Sequence, residues 1–493
     1  MTKSQQNQTG RAQEAAISVA DPRRWKALMV LSLAQFLVIL DTSIIGVALP
    51  TIQQHFGFSQ SELQWIFSAY VIVFGALLLL GGRLSDIIGQ RRIFVIGFAI
   101  LTGASVLAGL APTGDMLIAA RALQGIGAAF IAPAAMSMVM SLFTIPAERN
   151  KALGFWGAAA PAGGTAGVFL GGIITAYVDW SWVFLINVPV GIAVLGLTRM
   201  LLPRGIKQKG RVDYAGAISI TGALMLLVYA IVTANDSGRS SLPTVSLLLA
   251  SAGLFGAFVM IQKRSKSPLI PLQIFKTRNL LSSNIVMALL GAAWIPMWFF
   301  LNLYLQQIQG YGAFESGLAL LPMTAAIMIL MIGASSRIIG RIGVKTSMVA
   351  GLGLLAVAMS IFAATPSSTG SFVTHVLPAS LVAAGGMSLA YIPVLMSAVS
   401  YAKEEESGLV SGIVNTSYQI GSALGLAIMV AVASAQTLQS ENNGIAAIEA
   451  LNNGFHLAFI GAAIVAAVAT VVALAAIKKA NISSQKEAAL AAG

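Results

Sequence analysis

The sequence predicts an all-α integral membrane protein. The chain has 493 residues, of which 57% are hydrophobic and only 9% are charged. Soluble domains contain about 25% charged residues, so this composition excludes an ordinary soluble protein. Apolar runs separated by short polar breaks give fourteen candidate membrane helices, and a bilayer core requires about 20 apolar residues for each. We place these spans at residues 25–50, 62–82, 93–112, 115–143, 150–177, 181–202, 213–234, 242–262, 280–307, 315–336, 346–364, 374–400, 407–436 and 455–478.

The basic residues are distributed unevenly about these spans. All but two of the 29 lysines and arginines lie on one face of the predicted membrane; Arg239 lies on the opposite face and Arg121 lies within the fourth span. Because cytoplasmic loops carry an excess of positive charge, we assign the basic face to the cytoplasm. An even number of spans then places both termini there. The same distribution accounts for the net charge of +12 without nucleic acid as a partner.

The chain also contains an internal repeat. GGRLSDIIGQRR follows the second span and SSRIIGRIGVK follows the tenth, and a second pair of matches joins the fourth and twelfth spans. Parallel repeats of this kind are typical of transporters whose binding site lies between the halves. The matching positions are Arg83 and Arg337, Gly89 and Gly343, Gly125 and Gly385, and Pro133 and Pro393.

The repeat predicts a division of the chain into two six-helix bundles with two extra helices between them. Residues before the first span are polar and lack the apolar core of a removable signal peptide, so we expect a cytoplasmic tail there. The predicted units are an N-terminal tail (1–24), an N-terminal six-helix bundle (25–202), two inserted helices with cytoplasmic linkers (203–279), a C-terminal six-helix bundle (280–478) and a C-terminal tail (479–493).

Two charged residues lie deep within predicted spans. Asp41 stands nine residues before Pro50 at the outer end of the first span, and Arg121 stands six residues after Asp115 at the outer end of the fourth. At about 1.5 Å per residue, the two side chains share a similar depth. A charge at such depth costs about 3 kcal/mol on insertion scales, so it indicates a partner or a function. Either the two residues form a static ion pair, or Asp41 exchanges a proton while Arg121 favours its ionised form.

Other side chains are candidates for contact with a transported compound. The C-terminal half offers aromatic, methionine and amide groups but no deep charge, which suits a bulky, flat, lipophilic compound. Aromatic faces attract cations, and Asp41 is the deep negative charge, so we expect lipophilic cations. Taken singly, each of these residues is equally compatible with helix packing. The candidate substrate-binding residues are Asp41, Gln35, Gln124, Trp294, Trp298, Phe299, Tyr304, Met323, Tyr391, Asn415 and Gln419.

Four stretches of the chain resemble the fourteen-span drug:proton antiporters of the major facilitator superfamily. They are LDTSIIGVALP in the first span, GRLSDIIGQRR after the second, LIAARALQGIGAA in the fourth and the glycine-rich GAAAPAGGTAGVFLGG in the fifth. The resemblance implies a fold of two six-helix bundles that rock about a central site, exchanging drugs for protons. It also implies that Arg121 couples transport to protons and that Asp41 serves either this coupling or substrate binding, with the proton gradient in place of any cofactor.

The resemblance further implies roles for the second and fourth of these stretches. The segment after the second span would be a gating loop that latches the two halves together, although a plain cytoplasmic turn is the alternative; its residues are Gly82, Arg83, Asp86, Gly89, Arg91 and Arg92. In the fifth span, the family's Gly-Pro pair is replaced by Gly167-Val168, which departs from the antiporter motif. The glycines of that motif are Gly163, Gly164, Gly167, Gly171 and Gly172.

The sequence contains no nucleotide-binding P-loop and no metal-ligand cluster, which argues against an ATP-driven pump in one chain and against an enzyme. We therefore expect a proton-coupled exporter of lipophilic, cationic or amphipathic drugs. We expect it to act as a monomer in the bacterial plasma membrane, with lipid, protons and small-molecule drugs as its partners. The alternative is a proton-coupled transporter of one specific metabolite.

Overall fold

The structure is a computed structural model that describes residues 23–143, 146–202, 213–237, 241–265, 268–270, 274, 279–331, 335–365, 371–400 and 407–478. The predicted tails lie outside these residues, apart from positions 23 and 24.

Fourteen apolar helices follow one another in the described residues, in the order that the sequence predicts. Thirteen are long and apolar enough to cross a membrane, and Ala313–Ile329 is a shorter apolar helix. The all-α membrane fold is therefore confirmed. The helices are α1 (Arg24–Phe56), α2 (Trp65–Ile88), α3 (Gln90–Gly109), α4 (Gly114–Leu142), α5 (Pro146–Tyr177), α6 (Asn187–Leu201), α7 (Tyr214–Ser237), α8 (Leu242–Arg264), α9 (Leu280–Leu303), α10 (Ala313–Ile329), α11 (Val344–Ala363), α12 (Leu377–Val399), α13 (Ser407–Asn442) and α14 (Ala447–Ala476).

The first six and the last six helices pack in the same way. In the N-terminal half, α1 packs on α5, α2 and α3 pack on α4, and α3 packs on α6; the C-terminal half repeats these pairs as α9 on α13, α10 and α11 on α12, and α11 on α14. Contacts between the halves follow the same symmetry, since α2 packs on α13 and α5 packs on α10. The two halves are thus structural copies of one six-helix unit.

Reciprocal glycine contacts fix the register of this repeat. A Cβ on Gly97 would lie 2.8 Å from the carbonyl oxygen of Gly127, and a Cβ on Gly127 would lie 2.8 Å from that of Gly97. Gly351 and Gly386 form the same contact between α11 and α12, at 2.7 and 2.8 Å. Gly127 therefore corresponds to Gly386, so the predicted match of Gly125 with Gly385 is wrong by one residue. There is no room for a side chain at either glycine of a pair. Each pair therefore fixes one register between its two helices.

The predicted gating loop after the second span is helical instead. Gly82, Arg83 and Asp86 belong to the last turns of α2, while Arg91 and Arg92 belong to the first turn of α3. Only Gly89 leaves the helical conformation, with φ of 110° and ψ of 132°, which a residue with a side chain rarely adopts. Gly343 makes the equivalent break before α11, with φ of 85°. A single glycine thus replaces the loop in both halves.

The inserted helices α7 and α8 form a hairpin against the seam between the halves. Helix α7 packs on α2 of one half and on α13 of the other. Trp65 and Tyr229 contact each other at this seam, with ring centroids 6.2 Å apart. At the other end of the hairpin, Gln262 Nε2 donates to Asp213 Oδ2 at 2.7 Å and joins α8 to the start of α7. The pair is therefore anchored to both halves through α7.

Candidate functional site

Asp41 and Arg121 form a buried ion pair inside the N-terminal half. Arg121 Nη1 donates to Asp41 Oδ2 at 2.6 Å, and neither side chain is exposed. The carboxylate comes from the middle of α1 and the guanidinium from α4, as their depths in the sequence predict. A pair removed from water in this way interacts far more strongly than a surface pair, and removing either partner strands a buried charge.

Two amide side chains complete the surroundings of the carboxylate. Asn187, the first residue of α6, donates through Nδ2 to Asp41 Oδ1 at 2.6 Å. Gln124 Nε2 donates to the same oxygen at 3.1 Å and to Ser105 Oγ at 2.8 Å. Asp41 therefore accepts three hydrogen bonds, one on Oδ2 and two on Oδ1, which is the environment that an ionised carboxylate requires when buried.

The guanidinium of Arg121 is held by three further groups. Nη1 also donates to Gln124 Oε1 at 2.7 Å, and Nε donates to the backbone carbonyl of Ile66 at 3.0 Å. The ring of Tyr70 lies against the guanidinium, with Arg121 Cζ 4.4 Å from the ring centroid. An aromatic face stabilises a cation at this distance. Helix α2 thus contributes both a carbonyl and a ring, which fixes Arg121 in the direction of α1.

Close packing between α1 and α5 sets the position of Asp41. A Cβ on Gly163 would meet the carbonyl oxygen of Phe36, and a Cβ on Gly167 or Gly171 would lie 2.9 or 2.7 Å from the carbonyl oxygen of Leu40 or Ile44, respectively. The glycines recur every four residues and so form one face of α5. Of the other two predicted motif glycines, Gly172 faces α10 instead, and Gly164 has its nearest neighbour at 3.7 Å. The glycine face holds α1 at a distance that no larger residue would allow.

Asn187 and Tyr70 are absent from the residues that the sequence singles out. Asn187 lies in the stretch WSWVFLINVPVG, where it is a polar residue at the start of a membrane helix. That position is the signal that would have identified it, because an amide inside an apolar run requires a partner. Gln124, in contrast, is predicted as a substrate residue, yet both ends of its amide are engaged with Arg121, Asp41 and Ser105.

The other candidate substrate residues fall into two groups. Four of them are packed in the core at 5% exposure or less: Trp294, Phe299, Tyr304 and Met323. Phe299, for example, lies between Phe67 and Phe300. The remaining five are only partly buried and so have some free surface: Gln35, Trp298, Tyr391, Asn415 and Gln419. Contact with a transported compound stays a prediction for all nine residues. Only the five partly buried residues have the exposed surface that such a contact requires.

The gating segment makes its hydrogen bonds inside the N-terminal half. Arg91 Nη2 donates to the carbonyl of Arg199 in the last turn of α6 at 2.9 Å. Gln90 Nε2 donates to Ser137 Oγ of α4 at 2.7 Å. A side chain that binds a helix's last carbonyls stabilises the end of that helix. The predicted latching role of this segment between the halves stays a prediction.

The two halves contact each other at the opposite end of the molecule, around Pro50 of α1. Gln307 donates to Gln53 Oε1 at 2.6 Å and accepts from Gln60 at 3.1 Å, while Gln306 donates to the carbonyl of Val47 at 2.9 Å. Helices α5 and α10 meet at the same end, where Gly172 approaches the backbone of Ala313. The Pro50 end of the molecule is therefore closed by direct contacts between the halves.

Two repeated six-helix bundles of apolar helices, one of which buries an ion pair, are the architecture of a membrane transporter. The sequence profile described as the Major Facilitator Superfamily matches residues 31–426. The chain belongs to this family, whose members are transporters and not enzymes.

Several curated relatives are similar over most of their length. The puromycin resistance protein pur8 of Streptomyces alboniger is 35% identical over 427 residues, which cover 86% of this chain and 85% of the relative. The cephamycin export protein CmcT of Amycolatopsis lactamdurans is 36% identical, with 83% and 85% covered. The multidrug resistance protein Stp of Mycobacterium tuberculosis is 30% identical, with 83% and 75% covered.

Solved structures agree on the fold. A bacterial homologue of the human lysosomal transporter Spinster, solved in an inward-facing and unoccupied conformation, superposes with a TM-score of 0.67 at 17% identity. The match covers 92% of this chain and 97% of the other. At this identity, the likeness bears on the fold alone.

Proposed function

We propose that this protein is a proton-coupled antiporter that exports lipophilic drugs across the plasma membrane. The observation that carries the proposal is the buried cluster around Asp41, a carboxylate with an arginine counter-ion inside a membrane-spanning bundle. Ionisable residues in this setting are costly and are retained where protons or ions move. Protonation of Asp41 would neutralise the carboxylate and weaken its attraction to Arg121. The packing of α1 on α4 would then differ between the two states.

In this proposal, the proton enters from outside and leaves to the cytoplasm as drug moves outward. The basic face and both termini are cytoplasmic, so the closed Pro50 end faces outward and the structure is open to the cytoplasm or occluded. A proton reaching Asp41 would favour one arrangement of the halves, and a drug in the central space would favour the other. A single chain supplies both halves of the site, so a monomer suffices.

The names of the relatives support drugs as the substrate class. One relative is named for puromycin resistance, one for cephamycin export and one for multidrug resistance. Partly exposed aromatic and amide side chains lie on helices of the C-terminal half, where Tyr391 of α12 and Tyr418 of α13 meet edge to face with their ring centroids 5.7 Å apart. Aromatic rings of this kind suit flat, lipophilic cations.

The proposal is tested by transport in proteoliposomes with an imposed pH gradient. The assay follows a lipophilic cation such as ethidium, with and without an uncoupler, for the wild type and for Asp41→Asn. Asn has the volume of Asp but cannot ionise, so we expect at least a tenfold loss of gradient-driven transport in a protein that still inserts. Asp213→Asn is the matched control, because Asp213 is also a buried carboxylate but lies outside the cluster. Gradient-driven transport at the wild-type rate in Asp41→Asn would reject Asp41 as the coupling group.

A second candidate is a transporter of one compound only. It is favoured by relatives whose names each refer to a single antibiotic, such as the lincomycin resistance protein of Streptomyces lincolnensis, 33% identical over 429 residues. A panel of structurally unrelated compounds in the same assay separates the candidates. Export of several classes supports the multidrug function, and export of one class supports the second candidate.

A further inference from the structure

Asn187 has a hydrogen-bonding group that the cluster leaves unused. Its side chain is buried, and its Nδ2 is committed to Asp41 Oδ1. Its Oδ1 is buried as well, yet it has no hydrogen-bond partner among the described residues. Leaving a buried acceptor without a donor is destabilising, so its presence beside the candidate proton carrier requires an explanation.

Of the residues that hydrogen-bond to Asp41, only Asn187 has an acceptor oxygen without a partner among the described residues. Arg121 carries donors only, and Gln124 uses its carbonyl for Arg121 and its amide nitrogen for Asp41 and Ser105. If Asp41 gains a proton, the new O–H therefore needs an acceptor that the cluster in its present arrangement does not offer. Rotation of the Asn187 amide by about 180° would bring Oδ1 to the place of Nδ2 and supply that acceptor.

We propose that Asn187 is a positioning residue that stabilises both protonation states of Asp41 by turning its amide. With Asp41 ionised, Nδ2 donates to Oδ1 of the carboxylate. With a proton bound on that oxygen, the acid O–H donates to Oδ1 of Asn187, while Arg121 keeps its bond to Asp41 Oδ2 and Gln124 keeps its bond to the remaining lone pair of Oδ1. The separation of 2.6 Å between Asn187 and Asp41 also falls within the range of an O–H···O bond.

This inference rests on the proposed function, since it presumes that Asp41 takes up a proton. The ionisable groups that face Asp41 are Arg121 from α4 and Tyr70 from α2, whose ring lies on the guanidinium. Among the described side chains on the helices packed against α1, the remaining titratable groups lie towards the helix ends: Asp115 on α4, Glu148 and Tyr177 on α5, Arg199 on α6, Tyr304 directly after α9 and Glu315 on α10. The state of the cluster is thus set by Asp41, Arg121 and the amides that join them.

The sign of the expected pH effect follows from the strengths of the two hydrogen bonds. Charge-assisted hydrogen bonds are about twice as strong as neutral ones. Removing Asn187 therefore destabilises the ionised form of Asp41 more than the protonated form. We expect the acid limb of the pH profile of transport to move to higher pH by about one unit in Asn187→Leu, a tenfold change in the protonation equilibrium.

The test combines this pH profile with infrared difference spectra of the full-length protein in lipid nanodiscs. Leu has the branched shape and the number of heavy atoms of Asn without a donor or acceptor, and Asn187→Ser restores a hydroxyl that both donates and accepts. Asn284→Leu is the matched control, because Asn284 is a buried asparagine of the C-terminal half. We expect the alkaline shift in Asn187→Leu, a partial return in Asn187→Ser and the wild-type profile in Asn284→Leu.

The spectra test the amide rotation in the wild type itself. Spectra at low minus high pH, recorded with asparagine labelled by ¹⁵N in its side chain, should show an asparagine amide band that changes together with the carboxylic acid band of Asp41. If the acid band appears but the amide band is unchanged, and the pH profile of Asn187→Leu coincides with that of the wild type, the role of Asn187 is overturned while proton coupling stands. If no acid band is lost in Asp41→Asn at any pH, proton uptake by Asp41 fails, and this inference fails with it.

Discussion

The two halves of the molecule share one packing scheme but differ in what they bury. The register set by Gly127 and Gly386 places Ser380 of α12 at the position of Arg121 in α4. Ser380 is fully buried and uncharged, and neither α9 nor α12 contains an acidic or basic residue. The same scaffold therefore forms with and without the ion pair. The pair is therefore not required to build a six-helix unit.

We expect the largest difference in stability between the two halves when the ion pair is broken. Arg121→Ala leaves Asp41 buried without its cation, and breaking a buried pair costs about 3–5 kcal/mol. Ser380→Ala removes only a hydroxyl at the equivalent position and is expected to cost less than about 1 kcal/mol. Thermal unfolding followed by tryptophan fluorescence in detergent measures both. Wild-type stability of Arg121→Ala would contradict direct pairing, because a buried carboxylate that loses its counter-ion must destabilise the fold.

Next in size is the glycine face that holds α1 against α5. Gly167→Val places a branched side chain against Leu40, where a Cβ already approaches the carbonyl to 2.9 Å. Overpacking of this kind costs about 1–3 kcal/mol and would move Asp41 away from Arg121. Gly164→Ala is the control, since its nearest contact is at 3.7 Å. Loss of both stability and gradient-driven transport is expected for Gly167→Val alone, and identical behaviour of the two variants would remove the role of this face.

A smaller effect, equal in the two halves, is expected at the glycines between α2 and α3 and before α11. Gly89→Ala and Gly343→Ala each force a side chain into a positive φ, at a cost of about 1–3 kcal/mol. Gly340→Ala is the control, because a Cβ there meets nothing within 4 Å and its φ is ordinary. Unfolding temperatures of the three variants provide the comparison. A lower unfolding temperature for Gly89→Ala but not for Gly343→Ala would show that the two halves differ at this position too.

The smallest expected effect concerns the closed end. Gln307→Leu removes two hydrogen bonds between the halves, each worth about 1 kcal/mol, and so raises the population open at the Pro50 end by about tenfold or more. The chain has no cysteine, so a single cysteine introduced at Val47 can be labelled with maleimide without background. We expect faster labelling in Gln307→Leu than in Gln309→Leu, whose amide bonds to Tyr304 near its own helix. Equal rates would mean that these amides do not hold the end closed.

The sequence predicts features that depend on a single helix better than features that depend on the packing between helices. Hydropathy and depth along each helix are enough to predict fourteen helices and the meeting of Asp41 with Arg121. The packing between helices decides which face of a helix is buried, and this packing cannot be read from the sequence. This is why the burial of Trp294 and Met323 and the contact of Asn187 with Asp41 appear only in the structure. The segment at Gly89 was predicted as a loop because glycines and charges are typical of turns, whereas one glycine suffices.

Helix α5 has a position that connects the closed end to the ion pair mechanically. Its glycines touch the backbone of α1 along one face, and Gly172 touches the backbone of α10 in the other half. Backbone against backbone leaves no side chain to absorb a displacement. If the Pro50 end opens by a shift of α10 in the proposed transport cycle, that shift would be passed through α5 to α1, the helix that carries Asp41.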